Sequence, residues 1–456
     1  MAERGFRKQS TTAVSDSGLR AALDHFTGAF VRMRESAQDE LPNWEEMRRC
    51  AHRIKAHTMT RLDDYLLQLE SKLEAAGGQV LWARTAEEAS AVIVDIAGRH
   101  GCKRAVKSKS MTSEEVHLNE ALQRAGVTPV ETDLGEYVAQ LAQERPSHIL
   151  APIIHKTRQD VGRLLAEKLK IPYTEEVEEM TRIARSTLRR DFFSADLGIS
   201  GANFAVAETG TLVIVENEGN ARLSTSLPRV HVVLMGIEKL LPRFADLGLF
   251  LPLLTRAATG QKMSSYVSLI TGPRQQDDGP DHLYVVLLDN GRSQMLADPL
   301  MRQALYCIRC SACINICPVY KRTGGHSYDS VYPGPIGSVI SPFLMGRDSH
   351  SELPFASTLC GACAEVCPMR IPLPEQLLSL RRQAADRGRS NPHLGRALRM
   401  WSFLQRHPRL RGLVLAMART VQRLPGSSAL FSRLPLLGEW SSFRSLPSLS
   451  RPGAKR

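Results

Sequence analysis

Seven of the nine cysteines fall in two short runs, and each run ends in Cys-Pro. The first reads Cys307-Ile-Arg-Cys310-Ser-Ala-Cys313-Ile-Asn-Ile-Cys317-Pro318, the second Cys360-Gly-Ala-Cys363-Ala-Glu-Val-Cys367-Pro368. Three thiols spaced two residues apart on one tight loop reach three corners of an iron–sulfur cube without strain. The fourth cysteine, followed by proline, points away and ligates the other cube of a two-cluster site. The proline ends the local turn because it has no N–H to continue a helix. This crossed pattern assigns Cys307, Cys310, Cys313 and Cys367 to cluster 1, and Cys317, Cys360 and Cys363 to cluster 2. The position three before Cys360 is Ser357, so the second cluster has three protein thiolates. It is either a three-iron 3Fe-4S cluster or a 4Fe-4S cubane whose odd iron takes the Ser357 oxygen, water or an external ligand. Structural zinc is the competing reading, but four-ligand zinc sites usually come as two separated Cys-x-x-Cys pairs. Cys50 and Cys102 are isolated and read as ordinary buried or half-buried thiols.

The elements that must carry these thiols follow from the rest of the pattern. The chain has 456 residues, 43% hydrophobic and 23% charged, which is globular composition with room for two or three domains. Residues 1–76 read helical, with Leu62, Tyr65, Leu66, Leu69 and Leu73 on one face. A βα alternation follows from Gly77: strands at 79–83, 104–107, 127–131 and 147–151, helices at 85–99, 113–124 and 156–168. Thr112-Ser113-Glu114-Glu115 reads as a helix opening. Strands alternating with helices predict a mostly parallel sheet covered on both faces. The block from 202 to 288 is richer in β, with runs at 202–206, 211–216, 230–234, 266–270 and 283–288. The expected domains are a helical segment 1–76, an α/β domain 77–293, a cluster domain 294–380 and a basic segment 381–456 with a tail of low order.

Charge is unevenly spread. The net +12 hides a final segment, 381–456, with sixteen Lys/Arg against Asp386 and Glu439, so the other 380 residues sum to about −2. Such a tail suits an anionic membrane surface or an acidic partner. It lacks the aromatic-basic interleaving of a nucleic-acid binder, so no nucleic-acid partner is expected. The N-terminus has no apolar signal region. No run is long enough to span a bilayer. Clustered, motif-spaced thiols point to a reducing compartment. The expected location is cytoplasmic, with peripheral contact to the inner membrane face through the tail.

Longer phrases carry a resemblance. They include Val106-Lys-Ser-Lys-Ser-Met111, Glu131-Thr-Asp-Leu-Gly-Glu-Tyr137, Glu144-Arg-Pro-Ser-His148, His155-Lys-Thr-Arg158 and Ala207-Glu-Thr-Gly-Thr211. Leu288-Asp-Asn-Gly-Arg292, Gly324-Gly-His-Ser-Tyr328, Tyr332-Pro-Gly-Pro-Ile-Gly337 and Ala356-Ser-Thr-Leu-Cys-Gly-Ala-Cys363 extend it. From about Leu41 to Pro374 the chain resembles the lactate utilization protein B family. The resemblance implies an α/β fold class: a LUD-type, NagB/RpiA/CoA-transferase-like domain with a mostly parallel sheet, then an α-helical ferredoxin-like two-cluster domain. It implies electron transfer during oxidation of L-lactate to pyruvate, with two partners, a Cys-rich-repeat iron–sulfur protein and a smaller LUD-domain protein. The three-thiolate second cluster is similar to the family's form. Nothing carries over onto the basic tail.

Polar groups at expected strand ends are the candidates for substrate contact: Lys107, Lys109, His155, Glu208, Thr209, Asn290 and Arg292. Each singly also reads as a solvated loop residue, and the catalytic residues stay unassigned. Glu216-Asn-Glu-Gly219 is similar to a CoA-transferase glutamate motif, and a hairpin turn explains it as well. No Gly-x-Gly-x-x-Gly follows a strand. Hydride abstraction from a 2-hydroxy acid needs a two-electron acceptor, so the first step falls to a partner subunit. The alternative is a CoA-transferase or isomerase-type enzyme whose clusters are structural or regulatory.

Overall fold

The structure is a computed structural model that describes residues 5–276, 278–346, 349–387 and 392–422. The chain forms two compact units, Met1–Leu380 and Arg381–Arg456.

Among the described residues of the first unit, ten strands form two sheets. They are β1 (Gln79–Ala83), β2 (Arg104–Lys107), β3 (Thr128–Glu131), β4 (Leu197–Ser200), β5 (Phe204–Val206), β6 (Thr211–Glu216), β7 (Val230–Gly236), β8 (Leu240–Leu241), β9 (Tyr266–Ile270) and β10 (His282–Leu288). Six of them form an all-parallel sheet in the order β1-β10-β7-β4-β2-β3. The expected α/β fold class with a mostly parallel sheet is therefore present. A smaller sheet, β8-β5-β6-β9, is mostly antiparallel.

Both faces of the parallel sheet are covered, and successive residues serve different cores. On β10, Tyr284, Val286 and Leu288 pack with Ile93 and Ile96 of helix Ala86–Arg99. Leu283, Val285 and Leu287 face the other way, into the largest core. That core is continuous. It joins Leu66, Leu69 and Leu73 of helix Leu62–Ala75, the second sheet, helix Leu247–Thr259 and the cysteine module from Met301 to Leu380. Each such fully buried aliphatic side chain contributes roughly 1.5–3 kcal/mol. The module is thus built onto one face of the sheet.

Four local expectations are corrected. Residues 147–151 are not a strand: the His148 ring Nδ1 accepts the N–H groups of Leu150 and Ala151, both at 3.1 Å, and takes donors a ladder would need. The helix expected at 113–124 is two, Met111–Glu115 and Leu118–Arg124, broken at His117 with φ 51°. Its N-cap is Ser110, whose Oγ accepts from Ser113 N, rather than a residue of the Thr112–Glu115 stretch. Glu216–Gly219 is a strand-to-helix turn and not a hairpin, because the Glu216 carboxylate caps Ala221 and Arg222 N–H at 2.8 Å. Several elements come without a forecast, among them one helix and one strand of the parallel sheet. Helix Val177–Ser194 buries Met180, Ala184, Leu188 and Phe192 at four-residue spacing. Strand β4 is masked by Gly198, which is required there because a Cβ would sit 1.9 Å from Ser224 O.

The described residues of the second unit include helices Pro392–Arg406 and Pro408–Gln422. The low-order tail expected beyond them lies outside the described residues.

Candidate iron–sulfur centre

Each cysteine run folds as a loop with two residues at positive φ and a short helix behind it. In the first run Arg309 (φ 60°) and Ser311 (φ 62°) precede helix Ala312–Ile316. In the second, Leu359 (φ 56°) and Gly361 (φ 89°) precede helix Ala362–Glu365. Positive φ is uncommon outside glycine, so the repeat extends from sequence into backbone. Such turns direct successive N–H groups into one concavity. Arg309 N–H donates to Cys307 Sγ at 3.4 Å, and Ile371 N–H to Cys367 Sγ at 3.5 Å.

Cys307, Cys310, Cys313 and Cys367 line one cavity, walled by Ile149, Ile336, Met369, Ile371 and Leu373. Burial raises the Cys313 thiol well above its ordinary value, and Cys307, Cys310, Cys367 and Cys363 add to the rise. Cys363 is pushed up to about 12 by burial, then by Cys317 and Cys360. Thiols crowded this way bind protons tightly until a cation replaces them. Cys317 is buried and Cys360 exposed. Cys50 is half-buried and Cys102 buried, both apart from these groups.

Two buried guanidiniums test whether an anionic group belongs here. Arg34 is 3% exposed and lies within electrostatic reach of Cys310; its Nε and Nη1 have no hydrogen-bond partner among the described residues. Arg309 Nη1 is likewise unpartnered, beside Cys307. Buried N–H groups of a cation left without a partner cost several kcal/mol. A group of net negative charge held among these thiols would offset them. The residues present fit an iron–sulfur group.

The cysteine module is bonded to the carboxyl edge of the parallel sheet, where open α/β sheets bind ligands. Arg292, just after β10, grips Glu115 with both terminal nitrogens at 2.9 Å, and its Nε donates to Glu238 Oε2 at 2.6 Å. Tyr332 Oη donates to Glu115 at 2.7 Å. Arg309 reaches Glu238 at 3.3 Å and stacks 4.8 Å above the Tyr332 ring. Burial alone would raise the Glu238 carboxyl, but Arg292, Arg309 and Lys239 outweigh it and hold it at about 2. Asn290 Nδ2 donates to Glu115 at 2.7 Å and to Leu344 O at 3.1 Å. Asn290 and Arg292 therefore sit at strand ends as expected, but they hold protein groups.

The other candidates are dispersed. Burial works against the Lys107 charge, yet Glu114, Glu131 and Glu136 outweigh it and raise its pKa above the ordinary lysine range. Lys109 Nζ donates to Leu150 O at 2.7 Å. His155 follows no strand; it bonds Ser147 and Glu144, each at 2.9 Å. Glu208 caps Phe244 N, and Thr209 bonds Thr211.

Helix Trp44–Thr60 supplies groups the sequence reading missed. Arg48 donates to Cys367 O at 3.0 and 2.8 Å, His52 Nδ1 bonds Met369 O at 2.8 Å, and Lys55 Nζ donates to Glu238 O at 2.5 Å. The spacing 48, 52, 55 is one helix face. That polar stripe was the available signal.

Comparison with known proteins fits this arrangement. Residues 66–288 match the LUD domain and residues 303–371 the 4Fe-4S dicluster domain. A lactate utilization protein B from Oceanobacillus iheyensis is 45% identical over 392 residues, 86% of this chain and 82% of its own. The chain belongs to the lactate utilization protein B family. A Bacillus pumilus member is 41% identical over 98% of this chain and 95% of its own. A relative in Escherichia coli is an uncharacterized electron transport protein, YkgF, 42% identical over 97% and 94%. Members of the family thus align across the helical segment, the sheet and the cysteine module together.

Proposed function

We propose that this protein is an electron-relay subunit in the oxidation of L-lactate to pyruvate, working with a Cys-rich-repeat iron–sulfur protein and a smaller LUD-domain protein. Cys307, Cys310, Cys313 and Cys367 hold one cluster; Cys317, Cys360 and Cys363 hold the other. When bound, such clusters pass electrons singly. The observation that carries the reading is the cavity lined by four thiols and Arg309, with buried guanidinium N–H groups of Arg309 and of Arg34, within electrostatic reach of Cys310, lacking a partner among the described residues. The apolar wall excludes water, and the guanidiniums favour the more negative, reduced state.

The carboxyl-edge crevice supports relay over catalysis. Arg292, Glu115, Glu238 and Tyr332 occupy it with mutual hydrogen bonds. A Cβ on Gly291 would meet Phe343 O at 2.5 Å, so the module packs hard against the strand end. This disfavours the CoA-transferase or isomerase reading, as does the engagement of Glu216 and Glu218 with backbone N–H groups.

Lactate yields two electrons and two protons, so the first acceptor lies on a partner. Anaerobic L-lactate added to the three proteins together should reduce the clusters of this chain, read by electron paramagnetic resonance. Lactate added to this chain alone should leave them oxidised. Reduction without partners would overturn the assignment.

The tail helices supply a second contact. Among the described residues no helix is long and apolar enough to cross a membrane. Residues 392–422 hold six arginines and no acid. Leu398, Met400, Trp401, Phe403, Leu413 and Met417 are each more than half exposed. Apolar side chains beside arginines on short helices suit an anionic lipid surface at the inner membrane face. The full chain should bind vesicles containing phosphatidylglycerol, with a change in Trp401 emission, and release in high salt. Equal binding to neutral vesicles, or binding only to duplex DNA, would sink the membrane reading.

A further inference from the structure

We propose that Ser357 Oγ is a ligand of the second iron–sulfur cluster, occupying the corner that Cys307 occupies in the first. The inference rests on the two-cluster reading above and adds an atom to it.

The two runs repeat with an offset of fifty residues. Arg309 and Leu359 share positive φ, as do Ser311 and Gly361. Cys310 matches Cys360, Cys313 matches Cys363, and Cys317-Pro matches Cys367-Pro. The repeat reaches the first position as well. Cys307 Sγ accepts the N–H of the residue two on, Arg309, at 3.4 Å. Ser357 Oγ accepts the N–H of the residue two on, Leu359, at 3.1 Å. Cys307 and Ser357 are both half-buried. The serine oxygen thus sits on the backbone as the thiol sulfur does, at the vertex the crossed pattern leaves without sulfur.

A serine that accepts its own i+2 N–H is also a common local turn. That turn alone does not require the residues on either side of Cys360 to take up positive φ, which Leu359 does at a cost a non-glycine residue rarely bears. Both observations follow if the second run is a copy of the first with oxygen in place of sulfur.

The chemistry is a ligand substitution without electron transfer. The Ser357 O–H bond breaks, its proton goes to solvent, and its oxygen takes the coordination position that a water would otherwise hold. An alkoxide is a harder, stronger donor than a thiolate, so it lowers the cluster's reduction potential relative to a full-cysteine site.

The test uses the full chain purified anaerobically, with iron and sulfide counts, electron paramagnetic resonance and redox titration, on the native protein, S357A and S357C. The native chain should hold about eight irons, the content of two cubanes. S357A should fall to about seven, with a three-iron signal from the second site and the first cluster unchanged. S357C should keep about eight and move the second potential upward. Cyanide should leave the native spectrum unaltered but shift that of any S357A chain that keeps eight irons, because only there is the corner open to exchange. Two results would overturn the proposal: a native chain with about seven irons, or a native spectrum that shifts with cyanide. If C360A and C363A keep the full iron count, the second cluster itself is absent, a failure distinct from that of Ser357.

Discussion

Replacing Arg292 with methionine is expected to cost about 3–5 kcal/mol of stability, the scale for removing one partner of a buried ion pair. Its side chain is 1% exposed, and Glu115 and Glu238 are 0% and 1%. Methionine fills much of the volume, so cavity formation is a minor part of the loss. The major part is electrostatic: two buried carboxylates lose their shared cation. Arg309 still reaches Glu238, but Glu115 keeps only Tyr332 and Asn290. Urea unfolding followed by circular dichroism checks the number. In a double variant with Glu115→Gln the penalty should shrink, because one stranded charge is gone and neighbouring sites couple. A loss below about 1 kcal/mol, the level of exposed pairs, would mean that the network does not join module and sheet as described.

The crossed ligand assignment predicts an unusual pairing of phenotypes. Cys367→Ala should lose the same cluster as Cys310→Ala, although the two lie in different runs. Cys317→Ala should lose the same cluster as Cys360→Ala. Each single change should remove or alter one of two distinguishable resonance signals, leave the other unchanged and lower the iron count below about eight. Lactate-driven electron flow through the assembled proteins should stop in all four, since a relay broken at either station passes nothing. If the signals lost instead group by run, with Cys317 falling alongside Cys310, ligation is local and the reading of the cavity is wrong. The cavity makes the crossed outcome the expected one: Cys367 lines it, while Cys317 does not.

Much of this was legible in the sequence, because it depends on short-range pattern. The cysteine runs are read from spacing alone. Of the six parallel strands, all but β4 announce themselves by apolar, β-branched runs bounded by Gly, Pro, Asn or Asp. What stayed hidden depends on long-range partners. Residues 147–151 look like a strand until the His148 ring takes up two of their N–H groups. β4 lacks an unbroken apolar run because its glycine is there for Ser224. Arg292 and Asn290 look like substrate ligands because cations and amides at strand ends usually are. Only the fold reveals that Glu115, 177 residues away, claims the cation. Arg34 and Arg48 are invisible for the same reason, since an arginine in a helical pattern reads as solvated surface.

The grip of Arg48 on the carbonyl of Cys367 sets an order of assembly. The two residues are 319 positions apart, so the helix that clasps the second thiol run is made early and must wait for nearly the whole chain to leave the ribosome. Until then the nest of sulfurs lies open to whatever donor delivers iron and sulfide. Once the clasp shuts, the backbone that follows the second thiol run is tied to the beginning of the polypeptide as well as to its own motif.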